Sequence, residues 1–336
     1  MNKLLTIVVP VYKVEPYINK CLDSCLIYKT NEQGEKVLDE ELMNQLEVII
    51  VNDGTPDNSA EMSREYVRRY PNTFRQIDKE NGGHGSAWNV GLKEATGKYL
   101  RFLDSDDWLT NLDKLMENLG AIDADLVFTQ LDKYMVSSGE YVRYSVSGPK
   151  DVIIQVKDFP YKINEHTVSN FQYCTYKTSL LQSLHPLFDE HVFYDDMILF
   201  VAPQILAKTC MIYDYVLYNY LIGRPGQTVD VEIQKKNGAF LEKEYQKTLR
   251  FYNDNSGNND SKGWTEYAIL THVAQHNISC LPLLPFSEFK QNAMKLKHEL
   301  GAMKERIASK QLNRLLRYPC WMSYIIERVR LVKNKE

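Results

Sequence analysis

Buried strands and amphipathic helices alternate over the first 130 residues of the chain. The run LLTIVVPVY is apolar throughout, which is typical of a strand covered on both faces of a parallel sheet. Three later runs, LEVIIVND, FRQIDK and YLRFLD, also predict strands, and a helical periodicity of apolar residues separates each strand from the next. This alternation predicts an α/β fold with a doubly wound, mostly parallel sheet, in which ligands bind beyond the carboxyl ends of the strands.

A different pattern follows residue 130 and predicts a second half of the domain. Short alternating stretches indicate mixed strands, TYKTSLLQSLH and DDMILFVAPQILAK predict helices, and MIYDYVLYNYLIG predicts a strand. Helical signals dominate from about residue 231. We therefore expect one domain over residues 1–230, with halves at 1–130 and 131–230, followed by a helical C-terminal region over residues 231–336. The polar residues 29–45 predict a surface insertion.

Charge and composition exclude several classes of protein. The formal net charge is −4, which argues against general nucleic-acid binding. No apolar run approaches the roughly 18 residues that span a bilayer, and the first residues lack the pattern of a signal peptide. The six cysteines form no Cys-x-x-Cys pair, which favours reduced thiols. We therefore expect a cytoplasmic location.

The C-terminal region is basic, because residues 301–336 contain nine Lys or Arg residues and three Glu residues. Its segment NRLLRYPCWMSYIIERVRLVKN interleaves basic with aromatic and aliphatic residues, a composition that suits a helix lying on an anionic membrane surface. A helix packed on the preceding domain, or an oligomer contact, explains the same composition. Peripheral contact with the inner face of a membrane is therefore one of three expectations for this tail.

Four polar residues, DSDD at positions 104–107, follow the fourth predicted strand. Carboxylates at a strand end supply the hard oxygen ligands that Mg²⁺ or Mn²⁺ takes together with substrate phosphates. Alternatively, Asp106 and Asp107 favour the positive end of a following helix. That alternative fits Asp107 but does not explain Asp104, which closes the strand itself.

The loops after the first three strands also carry candidate binding residues. Tyr12 either stacks on a nucleobase or belongs to the core, and its position in the sequence does not decide between the two. Asp53 ends the second strand, where open α/β sheets bind ligands, so we expect it to accept hydrogen bonds from a ribose or a base. The segment ENGGHGSAW places glycine N–H groups at a helix N-terminus, where anions bind. His84 in that segment is either a ligand contact or a structural residue.

Four segments together resemble the family 2 glycosyltransferases of the GT-A fold. They are TIVVPVYKVEPYINKCLDS, VIIVNDGTPDNS, ENGGHGSAWNVGLKEATGKYLRFLDSDDW and FYDDMILF, and the resemblance covers about residues 3 to 230. It implies a nucleotide-sugar donor, with UDP as the expected nucleotide, a Mn²⁺ or Mg²⁺ ion held by an Asp-x-Asp motif, and inversion at the anomeric carbon. It also implies a saccharide or lipid-linked saccharide acceptor, in the synthesis of a surface polysaccharide or glycolipid.

The resemblance also implies roles for individual residues. Asp104 and Asp106 match the Asp-x-Asp motif, with Asp106 as the direct metal ligand and Asp104 facing the ribose or the waters of the metal. Asp196 matches the catalytic base, and Asp195 replaces the glutamate that usually precedes it. The residues implied to bind the donor are Pro10, Tyr12, Glu15, Asp53, Asn81, Gly82, His84, Asp104, Ser105 and Arg224, and those implied on the acceptor side are Asp195 and Trp108.

The chemistry of sugar transfer requires two separate acidic sites. A carboxylate that holds a metal ion loses proton affinity and makes a poor base, so a second carboxylate has to take the proton of the acceptor hydroxyl. Together with what the resemblance implies, this leads us to expect a metal-dependent inverting hexosyl- or N-acetylhexosaminyltransferase. One alternative is a sugar-phosphate nucleotidyltransferase, although the loop PVYKVEP lacks the glycines typical of that class. Another is a non-catalytic glycosyltransferase-like scaffold subunit, against which Asp104, Asp106 and Asp196 argue.

Overall fold

A computed structural model gives the structure of the protein and describes residues 3–158, 171–224, 226–227, 237–255, 285–300, 314–315 and 317–333. The strands are β1 (Leu5–Val11), β2 (Tyr28–Thr30), β3 (Lys36–Leu38), β4 (Leu46–Asp53), β5 (Phe74–Lys79), β6 (Tyr99–Phe102), β7 (Trp108–Leu109), β8 (Leu126–Met135), β9 (Glu140–Tyr144), β10 (Ile154–Gln155), β11 (Cys174–Lys177) and β12 (Thr209–Ile222). The helices are α1 (Ile18–Asp23), α2 (Glu40–Gln45), α3 (Ser59–Arg69), α4 (His84–Glu94), α5 (Leu112–Gly120), α6 (Thr178–Gln182), α7 (Ala202–Leu206), α8 (Gly238–Asn255), α9 (Phe286–Leu300) and α10 (Cys320–Lys333).

One large sheet organises both halves of the domain, with the strand order β10-β12-β8-β11-β6-β1-β4-β5. The neighbours β6, β1, β4 and β5 are parallel, as the alternation of strands and helices predicts. The second half is mixed, because β11 runs antiparallel to both β6 and β8, whereas β8 and β12 are parallel. The short β7 and the hairpin strand β9 pair antiparallel with β12 and β8.

Helix α4 lies unusually close to the sheet, and this position sets the direction of its first residue. The helix packs against β1 and β4. A Cβ atom at Gly91 would lie 2.1 Å from Val8 Cγ1, so only glycine permits this approach. One turn after the helix start, the buried Trp88 ring stacks on Phe102 of β6 with ring centroids 4.4 Å apart. Together these contacts fix the N-terminus of α4 at the carboxyl edge of the sheet.

Three segments differ from the sequence predictions in detail. The polar insertion at 29–45 includes most of a hairpin of β2 and β3, followed by α2, whose N-terminus is capped by Asp39 Oδ1 accepting from the backbone of Glu41 and Leu42. The predicted helix TYKTSLLQSLH begins as strand β11 and becomes helical only at Thr178. The predicted helix DDMILFVAPQILAK is a 3₁₀ helix, Asp195–Phe200, and then α7, because Val201 leaves helical geometry between them.

The described part of the C-terminal region is helical, as predicted. Helices α9 and α10 pack together, with the Phe289 and Tyr324 ring centroids 4.9 Å apart. The predicted boundary at residue 230 lies outside the described residues. Within the described ranges, no helix has the length and apolar character needed to cross a membrane.

Candidate active site

The loop after β6 brings three carboxylates together. One oxygen from each of Asp104, Asp106 and Asp107 lies within 4.8 Å of the others. Asp107 is fully buried, and both of its oxygens already accept hydrogen bonds from β12, one from the Tyr218 hydroxyl at 2.6 Å and one from the Leu221 amide at 2.8 Å. Asp107 therefore anchors the loop to β12. The alternative that Asp106 and Asp107 begin a helix is wrong, because strand β7 follows them and α5 starts only at Leu112.

Asp104 and Asp106 are the two carboxylates of this loop that fit a metal ion. Both are partly exposed, and their hard oxygens suit Mg²⁺ or Mn²⁺. Burial and the charges of its neighbours raise the pKa of Asp107 well above its ordinary value, so this side chain is the poorest cation ligand of the three. Asp104 and Asp106 thus differ from Asp107 in exposure, and their role as metal ligands stays a prediction.

Arg224 forms an ion pair with Asp106, joining the end of β12 to the loop. Burial and the charge of Asp104 raise the pKa of Asp106, while Arg224 acts in the opposite direction. The resemblance implies a donor contact for Arg224, and the structure pairs its guanidinium with Asp106, a candidate metal ligand.

His84 connects the metal-binding pair to the predicted base region. Its Nε2 lies 3.0 Å from Asp104 Oδ1, and its Nδ1 lies 3.2 Å from Asp195 Oδ1. Burial lowers the pKa of the imidazole, but the charge of Asp195 and the hydrogen bonds to both carboxylates outweigh this effect and raise the pKa well above its ordinary value. The ring is therefore a positively charged bridge between two carboxylates.

Asp195 and Asp196 differ in environment although they are adjacent. Tyr194 precedes them with φ 65°, a left-handed conformation that is strained for a bulky residue and directs the chain into the 3₁₀ helix. Asp195 is buried against α4, whereas Asp196 keeps partial exposure. Burial and the charge of Asp195 raise the pKa of Asp196 to about 7, and His84 opposes this shift. Asp196 is therefore a partly exposed carboxyl that can exchange a proton near neutral pH.

Asp53 accepts hydrogen bonds from the protein on both of its oxygens, whereas its position in the sequence predicts a ribose or a base as its partner. Its Oδ1 accepts from Lys79 Nζ at 2.6 Å and from the Gly82 amide at 2.9 Å. Its Oδ2 accepts from the Gly83 amide at 2.8 Å and from Asn81 Nδ2 at 3.1 Å. The anion that meets the glycine N–H groups is thus Asp53 itself. This buried carboxylate therefore shapes the glycine loop, and its predicted contact with a nucleoside stays a prediction.

The loop after β1 presents the remaining residues predicted for the nucleotide. Pro10 is buried within β1, whereas 43% of Tyr12 is exposed at the carboxyl end of that strand. Glu15 is exposed, and its Oε2 accepts from the Asn58 amide at 3.2 Å, which ties this loop to the start of α3. Tyr12 therefore presents a partly exposed aromatic ring at this edge of the sheet.

Ser105 of the DSDD loop and Trp108 directly after it are both buried. Trp108 pairs with Asn219 across β7 and β12, so its side chain lies on the opposite face of β12 from Tyr218. Its ring instead packs beneath Lys20 Nζ, which lies 3.0 Å from the ring centroid. Trp108 is thus held in this contact with Lys20, and its place on the acceptor side stays a prediction.

The family model for glycosyl transferase family 2 matches residues 6–183, more than half of the chain. The chain belongs to glycosyl transferase family 2. Among curated relatives it is 28% identical over 260 residues to the uncharacterized glycosyltransferase EpsJ of Bacillus subtilis, covering 75% of this chain and 71% of EpsJ. It is 35% identical over 106 residues to the minor teichoic acid biosynthesis protein GgaB of the same organism, covering 32% of this chain and 11% of GgaB.

The fold is also that of a glycosyltransferase whose structure has been solved with a bound ligand. The crystal structure of S. aureus TarS 1–349 in complex with UDP-GlcNAc superimposes with a TM-score of 0.67 at 19% identity, covering 96% of this chain and 89% of that one. This likeness confirms the predicted GT-A fold of the family 2 chain. The chain is also 31% identical over 139 residues to the Streptococcus pneumoniae glycosyltransferase GlyA, and this alignment covers 41% of this chain and 18% of GlyA.

Three residues of this site were not predicted from the sequence. Tyr218 holds the buried aspartate of the DSDD loop, and Lys79 holds Asp53. Glu244 of α8 is fully buried close to Asp195, with neither carboxylate oxygen hydrogen-bonded in the described structure. The tyrosine-rich run MIYDYVLYNYLIG predicted a strand, but no local pattern in it identified Tyr218 as the partner of a distant aspartate.

Proposed function

We propose that this chain is an inverting glycosyltransferase that moves a sugar from a UDP-sugar to a hydroxyl of a saccharide or lipid-linked saccharide, in the synthesis of a surface polysaccharide or glycolipid. The observation that carries the proposal is the presence of two acidic sites linked by one histidine. Asp104 and Asp106 form the first site, Asp196 forms the second, and His84 contacts Asp104 and Asp195. This arrangement suits a reaction that needs a metal ligand and a separate base.

Asp196 suits the role of general base. A pKa of about 7 allows it to be unprotonated, and still to accept a proton, near neutral pH. It takes the proton of the acceptor hydroxyl as that oxygen attacks the anomeric carbon, and the bond to the diphosphate oxygen breaks on the opposite side. Asp195, buried and held by His84, positions the segment that carries the base.

Asp104 and Asp106 suit the donor side of the reaction. A Mn²⁺ or Mg²⁺ ion bound there would neutralise the charge that grows on the leaving diphosphate. Arg224, paired with Asp106, lies where a second positive charge would assist. Tyr12 offers an exposed ring for the base of the nucleotide. The UDP-GlcNAc complex of TarS supports UDP as the nucleotide, since the two proteins share a fold.

The acceptor class is supported by the relatives and by the C-terminal helices. GgaB is a minor teichoic acid biosynthesis protein, which supports a surface glycopolymer as the product. A lipid-linked acceptor would require contact with a membrane. The side chains of Trp321 and Ile325 on α10 are 54% and 53% exposed, which suits insertion at a membrane surface.

A panel of nucleotide sugars tests the proposal. Thermal unfolding of the full chain should shift upward with one or more UDP-sugars when Mn²⁺ is present, because a ligand that binds only the folded state stabilises it. The same UDP-sugars should release UDP at a measurable rate, faster when a suitable acceptor is added. GDP- and CMP-sugars serve as matched controls. If no nucleotide sugar stabilises the chain and none is turned over, the proposal is wrong.

A further inference from the structure

Lys133 lies on the face of the sheet that carries the DSDD loop. In β8 it stands between Val142 of β9 and Tyr220 of β12. Its Nζ lies 4.3 Å from the centroid of the Tyr144 ring and 6.0 Å from the centroid of the Tyr220 ring. These two rings form an aromatic frame around the amine, and the Lys133 side chain is half-buried.

The register of β12 links this frame to the DSDD loop. Tyr218 and Tyr220 are two residues apart and therefore point to the same face of β12. The Tyr218 hydroxyl donates to Asp107 at 2.6 Å, so this face looks toward the catalytic carboxylates. Burial and the charges of Asp107, Asp104, Asp106 and Asp196 raise the pKa of Tyr220 well above its ordinary value.

No described carboxylate lies within ion-pair distance of Lys133, and in this it differs from its neighbours. On the opposite face of the same two strands, Asp132 and Arg143 form an ion pair, with Arg143 Nη2 at 3.2 Å from Asp132 Oδ2. Burial alone lowers the pKa of Lys133, with no carboxylate to offset the effect. A half-buried amine without an acidic partner is suited to receive an anionic oxygen from a ligand.

We propose that Lys133, framed by Tyr144 and Tyr220, is an acceptor subsite that binds an anionic group, a phosphate or a carboxylate. The tyrosine rings supply flat surfaces against which a sugar or polyol stacks, and the amine supplies the charge. The inference rests on the proposed transferase function. It adds that the acceptor is anionic, and that Lys133 offsets the repulsion between such an acceptor and the carboxylates of the active site.

Calorimetric titration of the full chain in the absence of donor tests this subsite without requiring catalysis. The probes are a glycerol phosphate trimer, which carries phosphodiesters, trigalacturonic acid, which carries carboxylates, and maltotriose, which is neutral. The variants are Lys133→Gln and Lys133→Arg. Lys36→Gln is the matched control, since Lys36 Nζ lies 4.5 Å from the Tyr28 ring centroid in a hairpin remote from the site.

The wild type should bind one of the anionic trimers and bind maltotriose more weakly. Lys133→Gln should weaken that binding about tenfold, Lys133→Arg should retain most of it, and Lys36→Gln should leave it unchanged. Preference for one trimer assigns the subsite to phosphate or to carboxylate. Equal binding by the wild type and Lys133→Gln, equal binding of maltotriose, or no binding of either anion would overturn the inference. Failure of the transferase proposal would appear separately, as absence of donor-induced stabilisation.

Discussion

His84 Nδ1 lies 3.2 Å from Asp195 Oδ1, although 111 positions separate the two residues in the chain. The contact joins the first residue of α4 to the segment that carries the predicted base. Through its other nitrogen the same ring reaches Asp104 at 3.0 Å. The charge of the imidazolium therefore acts on both acidic sites, and it lowers the pKa of the neighbouring Asp196.

The first prediction concerns the pH dependence of transfer. Asp196 has a raised pKa of about 7, and it acts as a base only when unprotonated, so kcat/KM should rise with pH through about 7. In His84→Gln the charge that lowers the pKa of Asp196 is lost, so the rise should move to higher pH. We expect the rate at pH 7 to fall about fivefold, because raising a pKa of about 7 by one unit (about 1.4 kcal/mol) lowers the unprotonated fraction at pH 7 from about one half to about one tenth.

Rate measurements between about pH 5.5 and 9 test this prediction. His298→Gln is the matched control, because His298 is exposed on α9, remote in sequence from the catalytic segments. An unchanged pH profile in His84→Gln would show that the His84 charge does not act on the base.

The second prediction concerns the anchor of the DSDD loop. Tyr218→Phe removes the donor to the buried Asp107 and the acceptor of the Asp104 amide, the latter at 3.2 Å. Leaving one buried oxygen of Asp107 without its donor costs about 1–3 kcal/mol, so the free energy of unfolding in urea should fall by that amount. Tyr141→Phe, which alters a 54% exposed ring on β9, should change it little. Equal stability of the two variants would contradict the anchoring role.

Local patterns were sufficient to predict the four parallel strands β1, β4, β5 and β6 and the carboxylates at their ends, because burial and periodicity are properties of neighbouring residues. They predicted Asp104 and Asp106 at the carboxyl edge of β6. They did not predict that Asp107 is fixed by Tyr218, since that contact joins residues 111 positions apart. Asp53 is a similar case: a strand-end aspartate looks available for a ligand until the fold brings Lys79 and the glycine loop onto both of its oxygens.

The third prediction concerns Glu244, the buried carboxyl of α8. Burial raises its pKa from an ordinary value of 4.5 to about 7, so the folded state favours the neutral acid. The stabilisation that comes from this protonated carboxyl is fully present below about pH 4.5. It is lost as the pH rises to about 7, which lowers the free energy of unfolding by about 3 kcal/mol in total. Glu244→Gln carries no charge, so it should be more stable than the wild type at pH 8.

Urea unfolding at pH 5 and pH 8 checks this prediction. Glu288→Gln, at an exposed position of α9, is the matched control and should follow the wild type at both values. The account of Glu244 fails if Glu244→Gln loses stability with pH as steeply as the wild type does.

The fourth prediction concerns α10 and membranes. Replacing Trp321 and Ile325 by serine removes two exposed apolar side chains, and binding to vesicles of phosphatidylglycerol and phosphatidylcholine should fall at least about tenfold in sedimentation assays. A matched variant with Tyr141 and Val142 replaced by serine alters a similarly exposed pair on β9. Equal vesicle binding by both variants would remove α10 from the proposed contact.

Comparison of Asp106→Ala with Asp196→Asn tests most directly the claim that metal binding and proton removal belong to different carboxylates. Each variant is measured twice, for Mn²⁺-dependent thermal stabilisation by the UDP-sugar that stabilises the wild type most, and for transfer of that sugar. Asp106→Ala should lose the stabilisation. Asp196→Asn should keep it and lose transfer by at least about 10²-fold, the usual contribution of a general base. Equal loss of stabilisation in both variants, or full transfer by Asp196→Asn, would contradict the account.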